Sequence, residues 1–240
     1  MKKIKKVEII PDINVKLIKY TPNPDEHIYI SARIAYSNKT VDEIKKETSD
    51  KEKVRNFLNM LRERGHTSTF EHAVFTFVIE GCSRVCTHQL VRHRLASYTQ
   101  QSQRYAGATG RFYLPESIMN NPDAYKIAQE VIDFTTRKYN ELINMGIHQE
   151  DARYLIPQSV TSRITVTMNA RELLHFFELR TCMHAQKEIR VVAWKMLKEA
   201  QKVAPILFEK AGPPCIAKGI CYENDTKCPL YSVYINDNKK

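Results

Sequence analysis

Hydrophobic positions along this chain follow two rhythms. Two stretches alternate in steps of two. In 72–80, Ala73, Phe75, Phe77 and Ile79 fall on one side, with His72, Thr76 and Glu80 among the other. In 160–168, Val160, Ile164, Val166 and Met168 oppose Thr161, Arg163, Thr165 and Thr167. Both predict half-buried strands, since successive strand side chains face opposite ways. Elsewhere the spacing is three and four, which predicts helices. A charged stretch at 41–64 carries Val54, Phe57, Leu58 and Leu61 on one stripe and ends at Gly65, a C-cap residue. Ser83 offers an N-cap for a helix running to about Arg94. Asn121-Pro122 starts a long helix through Tyr125, Ala128, Ile132, Thr135, Tyr139 and Leu142, closed by Gly146. Shorter helical patterns occupy 150–156, stopped by Pro157, then 170–179 and 184–202.

The first thirty residues mix β-branched runs with Pro22, Asn23, Pro24 and Asp25, predicting an edge strand that leads into a helix near 27–35. Residues 97–104 are polar without an apolar period and read as loop or a short irregular helix. From Gly212 the chain turns Pro-, Cys- and Asn-rich. The elements predict an α+β fold: a small, mainly antiparallel sheet surrounded by helices, not a Rossmann fold. One domain is expected over 1–211, with a cysteine-containing tail at 212–240.

Composition agrees with one compact domain. Of 240 residues 42% are apolar and only seven are glycine, and no Gly/Ser linker is present. No apolar run reaches the length of a membrane span. The basic start is followed only by 7–10 and Pro11, too short for a secretory signal core. A cytoplasmic protein is therefore expected, and its six cysteines as free thiols or a metal site. The net charge of +10 implies an acidic partner: nucleic acid, a membrane surface or a phosphorylated small molecule. Lys2, Lys3, Lys5, Lys6, Lys239 and Lys240 read as solvated ends. The arginines of the middle are different, because they cluster with His and Gln.

The densest polar run is Gln89-Leu90-Val91-Arg92-His93-Arg94, followed by Ser97, Gln100, Gln101, Ser102, Gln103 and Arg104. If 83–94 is one helix, Gln89, Arg92 and His93 share a face at i, i+3 and i+4. Guanidinium forks bind phosphate bidentately, and neighbouring amides and hydroxyls can meet a sugar or pyrimidine edge. Spacing alone leaves two readings open, a phosphate site and a solvated basic helix end.

The string Arg92-His93-Arg94, seven residues, then Ser102 resembles the signature of the flavin-dependent thymidylate synthases. Gln89, Ser97-Tyr98 and Arg104-Tyr105 sit in the matching surroundings. Gly65-His66-Thr67-Ser68 with Phe70-Glu71-His72 also resembles that family, as do Ala152-Arg153 before Pro157, Asn169-Ala170-Arg171, Leu179-Arg180 and His184-Ala185-Gln186. The likeness spans about 31–202. It implies FAD as cofactor, NADPH and methylene-tetrahydrofolate as co-substrates, dUMP as the substrate methylated to dTMP for dTTP synthesis, and a homotetramer with shared active sites. The resemblance assigns FAD to Ser68, Arg92, His93, Arg94, Gln100, Asn169, Ala170, Arg171 and His175, with His66 and Glu71 as further candidates. It assigns dUMP to Gln89, Leu90, Val91, Arg92, Gln100, Gln101, Ser102, Gln103, Arg104 and Arg153. Arg180 is implied beside the pyrimidine, where a fixed guanidinium would stabilise developing negative charge.

Three positions depart from the family pattern: Gln100 where many members have Glu, His175 where Asn is frequent, and Ala35 in place of a hydroxyl residue. Cys82 and Cys86, one helical turn apart, read as packing residues. Cys182 lies near Arg180, although the family uses no enzyme nucleophile. Cys215, Cys221 and Cys228 are spaced more widely than zinc-ribbon knuckles and read as free thiols or, with a fourth thiol, a metal site. His184 reads as structural, at a turn or an interface. Two rivals remain: a basic nucleic-acid-binding protein, and a flavin- and folate-dependent uracil methyltransferase acting on RNA. The second would need a G-x-G-x-x-G loop, which the sequence lacks.

Overall fold

The computed structural model describes residues 2–10, 12–231 and 233; Pro11, Lys239 and Lys240 lie outside them. In chain order the elements are β1 (Glu8–Ile9), β2 (Asn14–Tyr20), α1 (Pro24–Arg33), α2 (Val41–Glu47), α3 (Lys51–Glu63), β3 (Val74–Ser83), α4 (Arg84–Leu90), β4 (Ala96–Gln100), β5 (Arg111–Phe112), α5 (Glu116–Met119), α6 (Pro122–Asn144), α7 (Gln149–Ala152), β6 (Thr161–Asn169), α8 (Ala170–Arg180), α9 (Lys187–Val203) and α10 (Pro214–Ala217). Short 3₁₀ turns occupy Ile34–Tyr36, Thr67–His72 and Arg153–Leu155. A four-stranded sheet has the order β2-β3-β6-β4, and β1 pairs with β5 in a separate parallel ribbon. The central pair is antiparallel. The Ala170 N–H donates to the Ala73 carbonyl at 2.8 Å, and the Thr76 and Thr167 hydroxyls meet at 3.0 Å, so partner positions advance in opposite directions. The α+β class with a small antiparallel sheet is the one expected.

The chain forms two compact units, each assembled from separated segments. The first comprises the described residues up to Val15, Val78–Arg92 and Tyr98–Thr165. Its long helix α6 opens as expected, with the Asn121 side chain accepting from the Asp123 and Ala124 N–H groups and Pro122 at the first turn. α6 buries Ile132, Tyr139 and Ile143 against two apolar clusters, one around Ile4 and Ala152, the other around Phe112, Leu114 and Val160. The N-terminal segment is pinned there. Asn140 exchanges two hydrogen bonds with the Ile4 backbone, each 2.9 Å, and the Tyr139 hydroxyl donates to the Lys2 carbonyl. Lys2, Lys3, Lys5 and Lys6 keep exposed side chains, as expected, around a buried Ile4.

The second unit comprises Lys16–Phe77, His93–Ser97 and the described residues from Val166 on. Its core is aromatic: Phe75, Phe177 and Phe208 meet edge-to-face at 5.4 and 5.8 Å, and Tyr29 meets Phe57 at 5.2 Å. Truncating a fully buried Phe of this kind costs about 3–5 kcal/mol. α3 docks through Val54, Leu58 and Leu61, and Gly65 ends that segment at φ +72°.

Several expectations change. The 41–64 stretch is two helices, because Asp50 caps a new start by accepting from the Lys53 N–H, while Thr40 and Glu43 close a capping box on α2. The helix from Ser83 stops at Leu90 rather than at Arg94, so Gln89, Arg92 and His93 share no helical face. Val91 is its C-cap and the chain unwinds, which lets His93 leave the helix line and bury its ring against Phe176. Residues 97–100, within the 97–104 stretch expected as loop or a short irregular helix, instead belong to the edge strand β4, whose continuation is held by the Gln101 N–H donating to the Arg163 carbonyl at 2.8 Å. An edge strand draws its order from the neighbouring backbone, so its side chains can lack any apolar period. Thr161, expected to point outward, is buried.

Candidate active site

In the first unit, Leu90 lies in the core and its carbonyl accepts from the Tyr98 hydroxyl at 2.8 Å. Gln89 is half-buried, and Val91 and Arg92 are exposed just beyond the helix. Gln100 Nε2 donates to Thr87 Oγ1 at 3.1 Å, so its amide is held by a neutral hydroxyl. Gln101 lines a groove of about 490 Å³ with Glu80, Arg111 and Arg163. Arg104 pairs with Glu150, and Arg153 Nε donates to the Glu150 carbonyl at 2.9 Å.

Arg84 joins this group although the sequence reading passed over it. Its guanidinium donates to Gln103 Oε1 at 3.4 Å. Burial, then the charge of Arg153, pushes its pKa down. Two guanidiniums close enough to repel each other are relieved by an anion between them. Ser102 accepts from the Arg104 N–H at 3.2 Å, which shapes the turn that carries these groups.

In the second unit, β6 runs directly into α8, and Asn169 is the junction: its side chain caps α8 by accepting from the Glu172 N–H at 2.9 Å. Asn169 therefore serves the helix through its oxygen, and Ala170 is buried. Arg171 is exposed and ion-paired to Glu71 at 2.6 Å. Ser68 sits on the exposed side of the 3₁₀ turn Thr67–His72. His66 bonds the Tyr36 hydroxyl at 2.6 Å and stacks on its ring. Ala35 and Arg94 are exposed.

Arg171 and His175 line a cavity of about 700 Å³, together with Arg62, Thr67, Lys210 and Lys218. That volume suits a large ligand, and the four cationic side chains outnumber Glu63 and Glu178 in the wall, which suits one carrying phosphates. FAD fits this chemistry: the diphosphate needs fixed positive charge, and the sequence offers no glycine-rich loop to supply it otherwise.

Arg180, at the end of α8, donates through Nε to His93 Nε2 at 3.1 Å. His93 Nδ1 lies 3.3 Å from Glu172 Oε1. Burial, then the charges of Arg180 and His175, drops the His93 pKa to about 4, so the ring is neutral at pH 7. Glu172 is the second residue missed by the sequence reading. Three residues after Asn169, it looks like an ordinary first-turn acid.

All six cysteines are free thiols, with Cys82 and Cys86 buried as packing residues and Cys182, Cys215, Cys221 and Cys228 half-buried. Among the described residues no group of three or more His, Cys, Asp or Glu could hold a metal. His184 is paired with Asp225 of the tail at 3.1 Å. No helix among the described residues is long and apolar enough to cross a membrane.

This fold also occurs in an enzyme that methylates nucleotides. A UMP/dUMP methylase, PolB, from Streptomyces cacaoi, solved with 5-Br dUMP bound, superposes with a TM-score of 0.76 at 27% identity, over 85% of this chain and 96% of that one. The chain belongs to the flavin-dependent thymidylate synthase family. Residues 16–206 match the family model described as thymidylate synthase complementing protein. Flavin-dependent thymidylate synthases of Pyrococcus furiosus and Geobacter sulfurreducens are 49% and 41% identical to it, each over 90% of this chain and over 92% and 94% of their own lengths.

Proposed function

We propose that this chain converts dUMP to dTMP by reductive methylation, a step of dTTP synthesis, with methylene-tetrahydrofolate as one-carbon donor and NADPH-reduced FAD as hydride source. The Arg92-His93-Arg94 string with Ser102, inside a family match over 16–206, carries this reading. It also accounts for the basic charge through phosphorylated small molecules rather than nucleic acid.

When bound, FAD supplies hydride chemistry that no side chain here can provide. Ser68, Arg92, His93, Arg94 and Gln100 would hold it with Asn169, Ala170, Arg171 and His175. The phosphate-facing share would fall to the guanidiniums. Arg92 would also face dUMP, with Gln89, Leu90, Val91 and Gln100–Arg104 positioning sugar and base and Arg153 meeting the phosphate. Arg84, beside Arg153, is suited to that same anion.

Arg180 would act by charge. A guanidinium stays protonated at working pH, so it donates hydrogen bonds and moves no proton. Set against the pyrimidine, it would favour the form ionised at N3, in which C5 is nucleophilic toward an electrophile. The neutral His93 that holds it adds no competing charge. We further propose a cytoplasmic homotetramer with shared active sites that also bind folate, with the synthase domain over 1–211 and a tail at 212–240.

An absorbance spectrum of protein incubated with FAD and desalted, before and after dUMP, tests the site. A retained flavin band that shifts with dUMP is expected. A colourless, folded protein refutes the flavin assignment.

A further inference from the structure

We propose that Glu172 is a positioning residue that acts through His93 to orient the Arg180 guanidinium. The inference rests on the reading of Arg180 as the pyrimidine-facing group.

Donor and acceptor inventory carries the argument. A guanidinium has only donors, so the ring nitrogen that meets Arg180 Nε at 3.1 Å must present a lone pair. In a neutral imidazole the proton then sits on Nδ1. That nitrogen lies 3.3 Å from Glu172 Oε1, where a carboxylate accepts it. The chain reads carboxylate, imidazole, guanidinium: opposite charges joined by a neutral ring whose tautomer the carboxylate selects.

The frame is rigid. Glu172, Phe176 and Arg180 recur every four residues along α8 and so share one face. Phe176 packs edge-to-face on the His93 ring at 4.9 Å, which fixes its plane. His93 and Glu172 are only 5% and 6% exposed, so their hydrogen bond acts in a poorly screened setting. The ionisable groups around the ring are Glu172, Arg180 and His175, the last with its ring 5.8 Å away.

Without the carboxylate, the Nδ1–H loses its acceptor, and the ring is free to carry its proton on Nε2. It then faces Arg180 donor to donor, and the guanidinium is released from its orientation. A carboxylate that merely supports the first turn of α8 would have no such effect on the ring.

The test uses full-length protein loaded with FAD, as wild type, Glu172→Ala and Glu172→Gln. It measures kcat and KM for dUMP and the ¹⁵N shifts of His93. Wild type is expected to show a protonated Nδ1 and a bare Nε2. Glu172→Ala should lower kcat about 10- to 100-fold, less than the 10²–10³ typical of losing a charge-stabilising donor itself. Its KM should hold within about twofold, because the loss falls on a transition-state interaction, and the His93 proton should shift toward Nε2. Glu172→Gln, whose carbonyl can accept from Nδ1, should recover part of kcat and the Nδ1–H form, and it serves alone if the alanine variant does not fold.

An unchanged kcat, or a lost kcat with the tautomer unchanged, overturns the proposal. So does a wild-type ring protonated on Nε2. Wild-type protein with the expected tautomer and no dTMP formation would instead sink the assignment of the reaction and leave the positioning chain standing.

Discussion

Asp25 offers a quantitative test of how the second unit is held together. Its carboxylate accepts the Leu207 N–H at 2.9 Å and the Ile206 N–H at 3.1 Å, one on each oxygen, and it is 8% exposed. From the other side Arg62 donates to the Leu207 carbonyl at 2.8 Å. Residues 206–208 lie outside helix and strand, so side chains do for them what a ladder does elsewhere. Asp25→Ala leaves two buried donors without partners, and each such loss costs about 1–3 kcal/mol. A neighbouring pocket bordered by Pro24, Pro205 and Ile206 lets water relieve part of it, which puts the expected loss near 2–4 kcal/mol.

Asp25→Asn keeps one acceptor and should cost less. Urea unfolding at pH 7 reads both as a lower midpoint at constant slope. The effect should reach the cavity, because Phe208 sits on Phe75 and Phe177 and the chain then passes to Lys210 and Gly212 in the wall. Flavin retention should weaken. A change below about 0.5 kcal/mol, the range of surface substitutions, would refute the reasoning.

Other consequences are as direct. Arg92→Ala should weaken both flavin and nucleotide binding, whereas Arg180→Ala should mainly lower kcat; equal losses of flavin affinity would undo that division. The His93 pKa is depressed from its ordinary 6.5 to about 4, so the unfolded chain binds the extra proton first. Its contribution to stability is present above about 6.5 and lost as pH falls toward about 4, and His93→Gln should flatten urea midpoints across that window. Gly81 lies in β3 at φ +83°, and a Cβ there would stand 2.8 Å from the Asp12 carbonyl oxygen. Gly81→Ala should cost about 1–3 kcal/mol, measured by thermal or urea unfolding.

The strands were legible where alternation is enforced by burial on one face: Phe75, Phe77 and Ile79 in β3, and Ile164, Val166 and Met168 in β6, are all buried. α6 was legible at both ends because its cap residues act locally. What stayed hidden depends on distant partners. β4 is short, sets only Ala96 and Tyr98 beside Gln100 on its half-buried face, and takes its order from β6. The early end of α4 accompanies the burial of the His93 ring against Phe176, and no periodicity in 83–94 reports that. For the site, the family string assigns residues whose role single-chain spacing left open. Glu172 and Arg84 escaped because their chemistry lies in a contact, with His93 in one case and with Gln103 and Arg153 in the other.

The most direct test of the central claim is product formation. Purified protein is incubated with dUMP, FAD, NADPH and methylene-tetrahydrofolate, and dTMP is measured by chromatography, with each component omitted in turn. The account predicts dTMP that requires both FAD and dUMP, with NADPH consumed in step. A folded, flavin-loaded protein that forms no dTMP, or that forms it equally well without flavin, would contradict it.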